Sequence, residues 1–180
     1  MASSKMFSFK AALWAVLSLA WLGTAWADGP GLGVAIDPKD ASAWDLDISP
    51  AGAGLPAGHG SAREGASVYA EFCQSCHGKS GQSGKADELV GGVGTLATRD
   101  AERTVGSFWP YATSVFDYIR RAMPWGRPGT LSDDQLYAVT AWILAENRII
   151  ASDDDMNALT LPKVEMPNRN GFFVKPEDWR

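Results

Sequence analysis

The chain has 180 residues, 46% hydrophobic and 21% charged, enough for one packed domain, and its formal charge of −5 argues against nucleic acid as a partner. Two cysteines allow at most one disulfide. An acidic surface suits a partner with a basic patch, or serves solubility alone.

Residues 1–27 read as a secretory signal: Lys5 and Lys10, an apolar run from Ala11 to Thr24, then the small-x-small pattern Ala25-Trp26-Ala27. The apolar run of 14 residues is short of the roughly 20 that span a bilayer, so cleavage after Ala27 and a periplasmic product without a membrane span are expected. Cleavage removes two lysines and no carboxylate, which takes the charge from −5 to −7.

Residues 28–60 are rich in Gly and Pro and read as an extended N-terminal arm, with Trp44, Leu46 and Ile48 as the groups able to pin it down. The folded core is expected over 61–150. From Ser61 the pattern becomes helical, with Gly65, Tyr69, Phe72, Cys73 and Cys76 on one face and Gly78 letting the chain turn away. Residues 78–108 read as glycine-rich loop. A second helix is expected after Trp109, with Pro110 in its first turn and Pro124 stopping it after Met123. A third begins at a capping box, Ser132 with Gln135, and Leu131 stapling onto Leu136. From Leu136 to Ala145 only Thr140 is polar, so this helix must be covered on more than one side. The segment 151–180, with Asp153-Asp154-Asp155 and three prolines, reads as an irregular C-terminal extension over the surface, in which Val164, Met166, Phe172 and Phe173 are apolar enough to pack on the domain or on a partner subunit.

The chemistry is concentrated in Cys73-Gln74-Ser75-Cys76-His77, which holds both cysteines and one of the two histidines. Two thiols three residues apart can add to the vinyl groups of a porphyrin while the next imidazole meets the iron, so the spacing reads as a covalent haem c site. His77 then needs an opposite ligand, and the candidates are His59, Met123, Met156 and Met166. Met123 is favoured: it lies 46 residues after His77, follows a helix, precedes a proline and comes before the last core helix. A soft thioether there raises the potential, and with both axial positions filled the iron can only pass electrons. Trp109 and Trp125 could border the haem, although core packing is the default for each.

The succession of helix, CxxCH, loops, helix, Met-Pro loop and C-terminal helix resembles the class I cytochromes c, an all-α fold of three or more helices around one covalent haem, here with extended arms. More narrowly, the segments 104–113 (TVGSFWPYAT), 116–124 (FDYIRRAMP), 131–142 (LSDDQLYAVTAW) and 166–172 (MPNRNGF) resemble the haem domain of the cytochrome subunit of sulfite and sulfane dehydrogenases of bacterial sulfur oxidation. That resemblance implies that Cys73 and Cys76 bind haem, that His77 and Met123 ligate its iron, and that a molybdenum-containing subunit donates electrons bound for a downstream cytochrome or oxidase. The chain itself then performs no substrate chemistry. A single CxxCH departs from the two-haem members. The rival readings are a free-standing carrier, a haem enzyme with an open iron, a thiol oxidoreductase, and a zinc site, which the spacing of Cys73, Cys76, His77 and His59 suits poorly.

Overall fold

The computed structural model describes residues 32–42 and 44–173. The expected signal sequence and the last seven residues lie outside them. The chain divides into two units, 1–44 and 45–180. Within the first, a five-residue helix, α1 (Pro38–Ser42), starts where the Asp37 carboxylate accepts the Lys39 N–H at 2.8 Å.

The second unit holds β1 (His59–Ser61), α2 (Ala62–Phe72), α3 (Gln74–His77), α4 (Ala112–Ala122), α5 (Asp133–Glu146), β2 (Asp155–Asn157) and a 3₁₀ turn, Leu161–Lys163. The two strands pair antiparallel, Gly60 opposite Met156, so the all-α expectation is corrected by a small sheet. Ser61 caps α2 through a capping box with Glu64, and Ser132 caps α5 through one with Gln135. These side chains satisfy amide donors that the first turn of a helix leaves open.

α5 is the centre of the core. Its nine residues from Leu136 to Leu144 are all buried, with α2, α4 and the β1–β2 pair packed against the helix. The crossing of α2 and α5 depends on Gly65, where any Cβ would run into the Ala138 carbonyl and lie 2.8 Å from Trp142 Cβ. One turn on, Tyr69 stacks on Trp142 with ring centroids 3.7 Å apart. α4 begins two residues later than expected, because Tyr111 is extended (φ −139°, ψ 132°) and Pro110 precedes it. It ends as expected: Met123, ahead of a proline, is extended (φ −118°, ψ 151°).

The tail is not an irregular surface extension over its described length. Met156, Leu161, Val164 and Met166 are all buried in the same core as α5, and Ile48 joins them from the N-terminal side. The three aspartates have partners: Asp153 pairs with Arg63 at 2.7 Å, Asp154 accepts the Ala151 N–H, and Asp155 meets His59 Nδ1 at 3.1 Å.

His59 is exposed, and its pKa is raised by the hydrogen bond to Asp155, then by that carboxylate's charge, with smaller contributions from Asp134 and Glu64. A raised folded-state pKa means the pair's contribution is full below the free histidine's pKa of about 6.5 and is lost as pH rises through the folded value. His59→Ala is therefore expected to lower Tm slightly at pH 5.5 and leave it unchanged at pH 8.5. Equal shifts at both pH values in thermal melts would refute the linkage.

Candidate functional site: the Cys-x-x-Cys-His elbow

α2 is capped by Cys73, whose N–H donates to the Tyr69 carbonyl at 2.9 Å, and α3 starts at the next residue. Cys73 itself departs from helical dihedrals (φ −119°, ψ −38°); Tyr69 is buried, Cys73 half-buried and Cys76 exposed. The N–H groups of Cys76 and His77 both point to the Cys73 carbonyl, at 3.1 and 3.0 Å, so thiols and imidazole share one tight turn. Gly78 closes it at φ +81°, as its position predicted. From there the chain folds back, with Lys85 N–H and Ala86 N–H donating to the Cys76 carbonyl at 2.7 and 2.9 Å.

His77 Nδ1 lies 2.7 Å from the Asp87 carbonyl oxygen. A carbonyl can only accept, so the ring carries its proton on Nδ1 and leaves the Nε2 lone pair for a metal. This backbone partner has no sequence signal, since any residue at position 87 supplies the same oxygen.

Cys73 and Cys76 are both free thiols. Burial first, and the neighbouring Cys76 second, push the Cys73 thiol up to about 11. A redox-active CxxC works with a lowered thiol pKa, so this environment disfavours a dithiol oxidoreductase. Among the described residues no group of three or more His, Cys, Asp or Glu could hold a metal ion, which leaves zinc without a site there.

Met123 sits on a different element, at the end of α4, half-buried and packed against the same apolar cluster as Cys73, Phe72, Leu89 and Trp109. Met156 and Met166 are 5% and 3% exposed, their side chains taken up by the core, and His59 is on the β1 edge with Asp155. Of the four candidate ligands, Met123 alone combines a half-buried thioether with a place beside a turn. Trp109 is half-buried and edge-on to Tyr118, whereas Trp125 is 86% exposed and so departs from the core-packing default.

A haem fits these residues. The two thiols are free and one helical turn apart, one imidazole nitrogen is unpartnered by its orientation, and the half-buried side chains of Phe72, Leu89, Trp109 and Met123 line the edge of an otherwise closed core. A core edged by large apolar groups is what an apolar ring can complete.

Fold and elbow together define a class I c-type cytochrome, and the chain belongs to that family. Residues 60–143 match the family profile described as cytochrome c oxidase, cbb3-type, subunit III. The chain is also similar to a solved structure, the sulfane dehydrogenase SoxCD from Paracoccus pantotrophus, at 37% identity, with a TM-score of 0.76 over 84% of this chain and 75% of that one. No curated protein matches significantly. The family makes haem c the cofactor and electron transfer the activity, and the likeness to a sulfane dehydrogenase ties the chain to sulfur oxidation. No helix of the described residues is long and apolar enough to cross a membrane.

Proposed function

We propose that this protein is a periplasmic mono-haem cytochrome that accepts single electrons from a molybdenum-containing sulfite or sulfane dehydrogenase subunit and passes them to a downstream cytochrome or oxidase. The observation that carries the reading is the elbow itself, on a chain 37% identical to a sulfane dehydrogenase over most of its length. Cys73 and Cys76 would hold the porphyrin through thioethers, and His77 and Met123 would ligate its iron. Haem c, when bound, supplies one-electron chemistry at its iron.

The residues around it do the rest. Asp87 holds the His77 ring in one tautomer and orientation through its carbonyl. Tyr69 donates to the Gly78 carbonyl at 2.8 Å and so ties the end of the elbow to the buried face of α2. The apolar side chains at the site keep water from the ring, which limits the reorganisation that each electron transfer requires. The chain carries out no substrate chemistry by itself. The second reading is a free-standing carrier between other redox proteins: the matched profile over residues 60–143 supports a cytochrome c domain and names no sulfur enzyme.

The test is to purify the protein from its native periplasm, stain for haem after denaturation, and follow haem reduction by sulfite and by thiol-bound sulfane with and without the subunit that co-purifies. Haem that survives denaturation, reduced only when a molybdenum subunit is present, is the expected result. Loss of haem on denaturation would refute thioether attachment. A protein that purifies alone and stays oxidised with both donors would favour the free carrier.

A further inference from the structure

Asn147, the C-cap of α5, spends its whole carboxamide on two backbone segments. Its Nδ2 donates to the Ile143 carbonyl at 2.9 Å, in its own helix, and to the Leu89 carbonyl at 3.0 Å, while Oδ1 accepts the Gly91 N–H at 3.0 Å. The two loop contacts lie 58 and 56 residues away in sequence. Gly106 lies against the other side of the carboxamide, so close that a methyl there would overlap Oδ1 and come within 2.6 Å of Cγ. One side chain thus fastens both ends of residues 89–91 to the last turn of the most buried helix.

Two residues before Leu89 is Asp87, whose carbonyl takes the His77 ring N–H. The remaining bonds of this stretch run within the loop or to the elbow: Leu89 N–H to the Gly81 carbonyl at 2.8 Å, and Lys85 and Ala86 N–H to the Cys76 carbonyl. Together with the Val105 N–H, which shares the Leu89 carbonyl at 3.2 Å, and the Thr104 hydroxyl, which donates to the Gly91 carbonyl at 2.7 Å, Asn147 ties this stretch to the rest of the domain.

We propose that Asn147 is a positioning residue for the axial imidazole, anchoring the 87–91 stretch so that the Asp87 carbonyl stays against His77 Nδ1. This rests on His77 being the iron ligand. A firmly held carbonyl fixes the ring and raises the basicity of the opposite nitrogen. A more basic ligand favours the oxidised iron, so loosening the anchor favours the reduced form.

Three variants of the haem-loaded protein separate this role from a purely structural one. Asn147→Ala deletes the anchor, Gly106→Ala displaces it from the far side with the carboxamide intact, and Asn168→Ala removes a different tie, to the Phe108 carbonyl at 2.7 Å, that does not touch the 87–91 stretch. The readouts are the midpoint potential and, by NMR, the exchange rate of the His77 Nδ1 proton. Asn147→Ala and Gly106→Ala are expected to shift the reduction equilibrium about threefold or more toward the reduced form, roughly 28 mV at 59 mV per tenfold. Both should also speed exchange of the ring proton several-fold, while Asn168→Ala lowers Tm and moves neither readout. If Asn147→Ala does not fold, Gly106→Ala carries the comparison. Unmoved readouts in folded, haem-loaded variants, a shift toward the oxidised form, or the same shift in Asn168→Ala would overturn the positioning role alone. A wild-type chain without covalent haem would overturn the ligand reading along with it.

Discussion

A chain that stops after Ile150 is expected not to fold into a stable haem domain. The deletion removes Met156, Leu161, Val164 and Met166, each less than a tenth exposed, from the core around α5. Truncating one buried Leu or Met to Ala typically costs about 2–5 kcal/mol, and a whole domain is stable by only about 5–15 kcal/mol. The loss also uncovers β1, whose backbone partner is β2. Leu161→Ala alone, at a fully buried position, should lower stability by about 2–5 kcal/mol without altering the haem spectrum. The measurement is far-UV circular dichroism through a thermal melt of both chains. A truncated chain that melts cooperatively within a few degrees of the full one would show that the tail is dispensable to the domain. It follows that the tail cannot be assigned to subunit association by deleting all of it. Phe172 and Phe173, exposed beyond the last buried residue, are the positions to vary for that purpose.

The parts of this molecule that were legible in sequence are those whose signal is local. CxxCH is a contiguous chemical unit. Ser132 with Gln135 announces a helix start, and Pro124 forces the preceding residue out of the helical region. The same capping signature stood at Ser61 and Glu64 and marks the start of α2 just as well. The tail was legible only in part: Val164 and Met166 are apolar enough to predict packing, but its path was not, because Met156, Leu161, Val164 and Met166 follow neither a period of 2 nor of 3.6 and the three-residue β2 exists only because β1 is there to pair with it. Asn147 was silent for the same reason. A single polar residue after an apolar helix looks like a terminus, and its tie to residues 89–91 is purely tertiary. The break at Cys73 lies between these cases. The 3.6 periodicity carried through to Cys76, whereas the helix is interrupted at Cys73, whose φ of −119° separates α2 from α3.

Replacing Met123 is expected to have the largest effect on redox behaviour. Met123→His puts an imidazole where a thioether stood. The soft thioether favours reduced iron and the imidazole favours oxidised iron, so the potential should fall, on the order of 0.1–0.3 V out of the ~0.8 V that axial ligands span. Met123→Ala supplies no ligand at all, and the reduced protein should then bind carbon monoxide readily, whereas the wild type is expected to bind it slowly. Neither change need disturb the fold, because Met123 is half-buried at the edge of the core and its backbone conformation is set by Pro124. Met166→Ala is the matched control: a similar thioether, 3% exposed, whose loss should cost about 2–5 kcal/mol of stability as a core cavity and leave both potential and carbon monoxide binding where they were. Potentiometric titration and stopped-flow mixing with carbon monoxide decide the matter. If Met166→Ala opens the iron and Met123→Ala does not, the ligand is in the tail, and the tail then holds the cofactor as well as the core.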